Sequence, residues 1–110
     1  MKKPKIRIGA VPYLNGKPLV AGYQQYSDQA DFIFDVPSQL ATLLAQEKLD
    51  AALLSSVEYL RGGYVILPHV GIISRGAVNS VVLIGNQPVE QAQVVYLDPA
   101  SHTSCVLAAL

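Results

Sequence analysis

The sequence is poor in the residues that build disulfide, redox and metal sites. It contains one cysteine, Cys105, so it can form neither an intrachain disulfide nor a CxxC pair. His69 and His102 are the only histidines, too few with one thiol for the usual tetrahedral zinc site. Cys105 lies in an apolar run, and we interpret it as an inert core thiol. A nucleophilic role needs a neighbouring base, for which His102 is the only nearby candidate.

Charge of either sign is also scarce. Lysine plus arginine and aspartate plus glutamate both number 8, so the formal net charge is zero. No block of like charges occurs that would form a binding tail. Because a neutral chain is weakly attracted to nucleic acid or an anionic membrane, we predict neither as a partner.

Long hydrophobic runs and common cofactor motifs are missing as well. No stretch approaches the ~20 apolar residues of a membrane span. Arg7 and Pro12 interrupt the apolar residues near the N-terminus, which is not typical of a signal peptide. GxGxxG, P-loop, HExxH and GxSxG motifs are absent, which argues against nucleotide cofactors, zinc peptidase chemistry and an α/β-hydrolase triad. We predict a soluble, cytoplasmic protein.

Half of the chain is apolar (51%), a globular composition, and strand patterns alternate with helix patterns. The predicted strands cover residues 5–11, 30–36 and 49–54, and the third is apolar enough to be central. The predicted helices cover residues 17–25, 38–48 with Ser38 as N-cap, and 55–61, closed by two glycines. Strand–helix–strand order at this spacing indicates an α/β fold with a parallel-rich sheet and flanking helices.

The second half of the chain predicts further extended segments. They cover residues 64–67, 70–74, 78–84 and 94–97, with a turn or short helix at 88–91 and a last helix from residue 103. Since this apolar helix has no stop signal, we expect the chain to be an incomplete N-terminal fragment.

Parallel α/β sheets bind ligands beyond the carboxyl ends of their strands. The loops expected there are residues 12–15, 37–38, 55–58 and 98–104. In the last loop, Ser101, Thr103 and Ser104 bring three hydroxyls to one helix start, more than capping requires, which predicts an anion site. His102 has two interpretations. It can act as an acid, as a base or as a cation that binds the anion, or it is a solvated histidine in the first turn of the helix.

The other loops have two interpretations each. Ser55 and Glu58 fit a capping box, which explains Glu58 by itself, while Ser55 and Ser56 can also contact an anion. Asn15 precedes a glycine and is explained by an ordinary turn, although its amide can both donate and accept hydrogen bonds.

Four segments in this order resemble the chorismate dehydratases of the futalosine route of menaquinone biosynthesis. They are residues 6–15 (IRIGAVPYLN), 36–40 (VPSQL), 49–59 (LDAALLSSVEY) and 97–104 (LDPASHTS). The resemblance implies a type II periplasmic-binding-protein-like fold with two lobes around a cleft. Residues 1–85 would form most of the first lobe, including a crossing strand near 78–84, and residues 86–110 the start of the second.

The resemblance also implies the activity. A chorismate dehydratase is a cofactor-independent carbon–oxygen hydro-lyase that converts chorismate to 3-[(1-carboxyvinyl)oxy]benzoate, and the fragment alone is expected to be inactive. The implied catalytic residues are Asn15 and Glu58, with no metal. The implied residues for binding the dicarboxylate substrate are Tyr13, Ser38, Ser55, Ser56, Ser101, His102, Thr103 and Ser104.

The chain departs from the family pattern at two places. Many members have a basic residue where Asn79 stands and an arginine where His102 stands, so the anion contacts here can differ. Three alternatives stay open: a non-catalytic small-anion-binding protein of the same fold, the sister enzyme dihydroxynaphthoate synthase, and an α/β interaction domain without a small-molecule site. Oligomeric state and the general base are not predicted.

Overall fold

A computed structural model describes residues 3–110. Three parallel strands form its sheet in the order β2-β1-β3: β1 is Ile6–Ala10, β2 is Ala30–Phe34 and β3 is Ala51–Ala52. The α/β class and the three strands are confirmed. The third strand, however, lies at an edge and is only partly buried, so its predicted central position is wrong. The middle position belongs to β1, whose last two residues, Gly9 and Ala10, are buried.

The segment between β1 and β2 differs from the single predicted helix. It forms two 3₁₀ helices, Leu14–Val20 and Tyr23–Tyr26. Gly22 separates them in the left-handed conformation (φ 73°), which glycine adopts without a steric penalty. Tyr23 then packs on Phe32 and Phe34, with ring centroids 5.1 and 5.4 Å away, and covers one face of the sheet.

Helix α1, Pro37–Ala45, covers the other face. Proline stands at its first position, where the missing N–H costs nothing. The N-cap is Val36, without a side-chain hydrogen bond, so the predicted cap at Ser38 is wrong. The helix also ends three residues before the predicted Lys48, because Glu47 adopts a left-handed conformation (φ 57°) that stops it.

The core lies between α1 and the sheet. Leu40 is fully buried and packs with Val11 and Leu49. Gly9 makes this close approach possible, because a Cβ there would lie 2.9 Å from Leu40 Cδ2 and 2.8 Å from Leu49 Cδ1. A larger residue at Gly9 would push the helix off the sheet.

Two short helices follow β3 along the chain. Helix α2 is Ser56–Arg61, and Gly62 (φ 98°) and Gly63 (φ 90°) end it as predicted. Helix α3 is His102–Ala108, with Ser101 as its N-cap. A 3₁₀ turn, Val89–Gln91, confirms the turn or short helix predicted at 88–91. No helix in residues 3–110 is long and apolar enough to cross a membrane.

The extended segments predicted between α2 and α3 form no strands in the structure. Residues 64–67, 70–74, 78–84 and 94–97 contain no sheet pairing, so these four strand predictions are wrong. A strand needs hydrogen bonds from a neighbouring strand, and the apolar alternation by itself supplies none. Many of their large apolar side chains are exposed, including Ile73, Ile84 and Tyr96.

An ion pair fixes the amino-terminal edge of the sheet. Both carboxylate oxygens of Asp50 accept hydrogen bonds from the Arg7 guanidinium, at 2.7 and 3.0 Å, and one also accepts from the Arg7 backbone N–H at 2.8 Å. The Arg7 side chain and then its backbone N–H stabilise the carboxylate, which lowers the pKa of Asp50 from 3.8 to about 2. The same pairing raises the pKa of Arg7.

We expect this pair to make stability depend on acid. Because the Asp50 pKa is lowered in the folded state, its contribution is complete above the ordinary value of 3.8 and is lost as the pH falls towards about 2. Asp50→Asn should therefore destabilise the protein at pH 7 and remove part of the loss of stability between pH 4 and 2. Urea unfolding of both proteins across that range measures this.

A matched control is Asp31→Asn, which removes an exposed partner of Lys5 at 3.0 Å. The Asp31 carboxylate accepts one hydrogen bond, from Lys5, whereas Asp50 accepts three from Arg7, so this variant should keep the wild-type acid profile. Identical acid profiles for Asp50→Asn and the wild type would contradict the prediction.

Candidate functional site

Three of the four predicted ligand loops meet at the carboxyl edge of the sheet. The Ser38 N–H donates to the Ala100 carbonyl at 3.2 Å, which joins the start of α1 to the segment before α3. Helices α2 and α3 also pack together. The cause is the parallel sheet, because the segments after β2 and β3 leave it at the same edge.

Hydroxyl groups line the contact between α2 and α3, and we call this set the hydroxyl cluster. Ser101 Oγ lies 3.4 Å from Ser55 Oγ and accepts from Ser104 Oγ at 3.2 Å. Thr103 Oγ1 lies 3.4 Å from Ser56 Oγ and accepts from the Val57 N–H at 3.1 Å. The hydroxyl cluster is Ser55, Ser56, Ser101, Thr103 and Ser104.

Part of this hydrogen bonding is structural. Ser101 caps α3 by accepting from the Ser104 N–H at 3.4 Å, as expected of an N-cap serine. The Val57 N–H is likewise occupied by Thr103. The hydroxyl protons can still rotate towards a ligand, since a hydroxyl both donates and accepts.

A charged group adjoins the hydroxyl cluster. Glu58 is buried, with a side chain only 11% exposed, although it carries a charge. Its Oε1 contacts His102 Nδ1 and accepts from Arg61 Nη1 at 2.9 Å. Two partners therefore compensate the cost of burying this carboxylate. We call Glu58, Arg61 and His102 the charged triad.

The contacts of Glu58 show that the capping-box prediction is wrong. Ser55 is the N-cap of α2, but it makes no side-chain capping bond, and the Glu58 carboxylate turns to His102 instead of the cap N–H. Sequence reasoning also missed Arg61. Arg61 lies three residues after Glu58 on a helix, and side chains at this spacing face each other. This spacing could have indicated the ion pair.

In the described part of the chain, no hydrogen bond joins Tyr13 or Asn15 to these residues. Asn15 is exposed in the first 3₁₀ helix, and within residues 3–110 its side chain makes no hydrogen bond. Tyr13 is 41% exposed. Hydrogen bonds or close contacts connect seven of the ten residues predicted for the site, and Ser38 reaches them through its backbone. Tyr13 and Asn15 have no such connection to them.

Cys105 does not belong to the core. It is half-buried on α3, a helix without a fully buried residue, so the prediction of a core thiol is wrong. Its Sγ lies 3.1 Å from the Asp98 carbonyl, and His102 contacts Glu58 instead of the thiol. The described part of the chain holds no group of three histidine, cysteine, aspartate or glutamate side chains placed to bind a metal.

An open depression of about 310 Å³ borders the hydroxyl cluster at Ser104. Its lining also includes Ser80, Tyr96 and Asp98. A second depression, of about 400 Å³, lies beside the first 3₁₀ helix and is lined by Val11, Lys17 and Phe34 among others. Ser104 is the one member of the hydroxyl cluster that lines the depression beside it, and no member lines the depression beside the first 3₁₀ helix. The depression at Ser104 is therefore the candidate ligand site.

Comparison with known proteins places the chain in a family. A family model described as menaquinone biosynthesis matches residues 6–110, nearly the whole chain. The comparisons with curated proteins and with solved structures gave no significant match. The matched range contains β1, the converging loops, the hydroxyl cluster and the charged triad. Because the match covers nearly the whole chain, the chain belongs to the menaquinone-biosynthesis family.

Proposed function

We propose that the protein is a chorismate dehydratase, which removes water from chorismate to give 3-[(1-carboxyvinyl)oxy]benzoate. Membership of the menaquinone-biosynthesis family supports an enzyme of that pathway. The observation that carries the proposal is the convergence of hydroxyl groups from α2 and α3 beside a charged triad. Such a surface suits an anion that needs several donors and one cation.

The chemistry of the substrate fits this set of donors. Chorismate carries two carboxylates on or near a cyclohexadiene ring. Elimination breaks one ring C–H bond and the ring C–OH bond, and the hydrogen and the hydroxyl leave together as water. Because loss of water is redox-neutral, the reaction needs no electron acceptor, and formation of the aromatic ring drives it. We propose that it uses no cofactor. The protein then has to bind a dianion, hold its geometry and exclude bulk water.

We assign the hydroxyl cluster to the carboxylates. Hydrogen bonds to charged groups are worth about 1.5–3 kcal/mol each, so a few well-placed hydroxyls account for useful affinity. The depression beside Ser104, at about 310 Å³, falls in the size range of small-molecule sites. Ser38 would approach the same substrate from the start of α1.

Asn15 and Tyr13 enter the proposal through the family resemblance. We propose that Asn15 positions the leaving hydroxyl and Tyr13 borders the ring. Both are exposed, which is compatible with a cleft that a second lobe closes. An Asn15→Ala protein with unchanged turnover would contradict the Asn15 role.

We also propose the two-lobed, type II periplasmic-binding-protein-like architecture and a cytoplasmic location. Residues 1–85 would belong to the first lobe and residues 86–110 to the second. The exposed apolar side chains between α2 and α3, such as Ile73 and Ile84, support a larger fold that covers them.

The test is incubation of the purified full-length protein with chorismate and no added cofactor, followed by mass spectrometry. We expect a product that weighs one water less than chorismate. Unchanged chorismate with a folded protein would reject the proposal. Conversion of cyclic de-hypoxanthine futalosine would then indicate the sister enzyme dihydroxynaphthoate synthase, and tight binding without turnover an anion-binding protein.

A further inference from the structure

The depression at Ser104 has one charged residue in its lining, and that residue is an acid. Most of the lining is apolar and includes Val81 and Leu83. Asp98 supplies the carboxylate, and no lysine, arginine or histidine in residues 3–110 lines the depression. A ligand anion on the hydroxyl cluster would therefore have a negative charge beside it, and this charge restricts how the ligand can lie.

Only one oxygen of the Asp98 carboxylate is engaged within its own loop. Oδ1 accepts a hydrogen bond from the Ala100 N–H at 2.9 Å. In the part of the chain that the structure describes, the other oxygen, Oδ2, accepts no hydrogen bond, and the carboxylate forms no ion pair. Because an ionised carboxylate accepts hydrogen bonds and donates none, Oδ2 can accept one from a ligand.

Neighbouring groups hold the Asp98 loop on both sides. The Asp98 carbonyl lies 3.1 Å from Cys105 Sγ on α3. The Ala100 carbonyl accepts from the Ser38 N–H at 3.2 Å, which ties the same loop to the start of α1. The carboxylate is therefore fixed relative to Ser104 before a ligand binds, which reduces the cost of ordering on binding.

The carboxylate acts in opposite ways on the two polar groups of a hydroxy acid. It repels a ligand carboxylate, whereas a ligand O–H can donate to it in a charge-assisted hydrogen bond, which is about twice as strong as a neutral one. Asp98 is exposed, so water screens part of both effects and we expect them to be moderate. A ligand with both groups should place its hydroxyl at Asp98 and a carboxylate towards Ser104.

We propose that Asp98 is a specificity-determining residue of the candidate ligand site, which accepts a hydrogen bond from a ligand hydroxyl and repels a carboxylate at that end of the depression. The inference rests on the proposed function for the identity of the substrate, since chorismate carries two carboxylates and one ring hydroxyl. A hydroxyl can donate to Asp98 and accept from another group at the same time, so the role proposed for Asn15 is compatible with it.

The experiment uses two unreactive ring dicarboxylates that differ by one hydroxyl, isophthalate and 5-hydroxyisophthalate. Calorimetry at pH 7 measures the binding of each to the full-length protein. The wild type should bind 5-hydroxyisophthalate about tenfold more tightly than isophthalate, as expected for one hydrogen bond to a charged group. In Asp98→Asn, this preference should fall below about threefold, and isophthalate should bind about threefold more tightly because the repelling charge is gone.

The choice of variants separates the charge of Asp98 from its structural use. Asp98→Asn keeps an oxygen that can accept from the Ala100 N–H, so the loop should retain its shape. Asp98→Ala removes both oxygens and should also lose the preference for the hydroxyl. Glu90→Gln removes one negative charge at an exposed position in the Val89–Gln91 turn and should keep both wild-type affinities. Thermal unfolding of each variant shows whether the protein is folded.

The outcome does not depend on turnover. If chorismate is not converted, the proposed function fails, and the two dicarboxylates still test Asp98. Equal affinities of the wild type for the two compounds, or no binding of either, would overturn the inference. A wild-type preference in folded Asp98→Asn would also overturn it, because Asp98 would then serve only as the acceptor for the Ala100 N–H.

Discussion

Replacement of Leu40 by alanine is expected to lower the free energy of unfolding by about 2–5 kcal/mol. Leu40 has no exposed surface and lies against Gly9, Val11 and Leu49 between α1 and the sheet. Removing its side chain would leave a cavity at the only point where α1 is anchored by a fully buried large side chain. A loss of this size is a large part of the usual stability of a small domain.

Urea unfolding followed by circular dichroism measures the effect. Leu60→Ala is the matched control, because the Leu60 side chain is 80% exposed on α2. Exposed substitutions usually change stability by less than about 0.5 kcal/mol. Equal midpoints for the two variants would contradict the assignment of Leu40 to the core.

The strand β1 and the helix α1 could be predicted from the sequence because local signals and tertiary packing agree there. The apolar alternation of β1 and the proline that starts α1 each favour the observed element. The position of β3 was predicted wrongly for a definable reason. A short apolar run such as residues 49–54 indicates burial, but strand order depends on pairing partners far along the chain.

The end of a helix was also hard to predict where a residue adopts a backbone conformation that its side chain disfavours. The end of α1 uses Glu47 in a left-handed conformation that normally selects glycine. Two backbone hydrogen bonds, from Glu47 N–H to the Leu44 carbonyl and from Lys48 N–H to the Leu43 carbonyl, stabilise this ending. The next residue, Leu49, is buried in the core. Packing therefore decided the boundary, and the composition of the segment gave no sign of it.

The second half of the chain shows the opposite situation. Residues 64–97 carry strong strand patterns and form no strand, because a periodic pattern only describes which side chains could be buried together. No described segment pairs with them. The resulting shape is elongated, with a longest dimension of 63 Å against 26 and 22 Å for the other two.

The sequence predicted which loops form the candidate site, but it did not predict which side chains contact each other there. Parallel strand topology indicates that the loops after β2 and β3 share an edge, and the structure brings the hydroxyls of α2 and α3 together there. The contact between Glu58 and His102 joins residues 44 positions apart. No local pattern encodes such a pair, and the capping-box pattern around Glu58 predicted a different partner.

The hydroxyl cluster carries the second large expected effect. Thr103→Ala combined with Ser104→Ala should weaken chorismate binding by about 100-fold or more. Two hydrogen bonds to a carboxylate contribute about 1.5–3 kcal/mol each, and every 1.4 kcal/mol is a factor of ten in affinity. The prediction rests on the proposed assignment of these hydroxyls to the substrate carboxylates. Calorimetric titration with chorismate, or with isophthalate if turnover interferes, measures the change.

The design has to separate ligand binding from the structural use of Thr103, which accepts a hydrogen bond from the Val57 N–H at 3.1 Å. Thr103→Ser keeps that hydroxyl and should retain nearly wild-type affinity, whereas Thr103→Ala alone should lose part of it. Ser27→Ala, beside the opposite edge of the sheet, should have no effect on binding. If the double variant is folded and binds as tightly as the wild type, the hydroxyl cluster serves only to join α2 to α3, and the anion site must lie elsewhere.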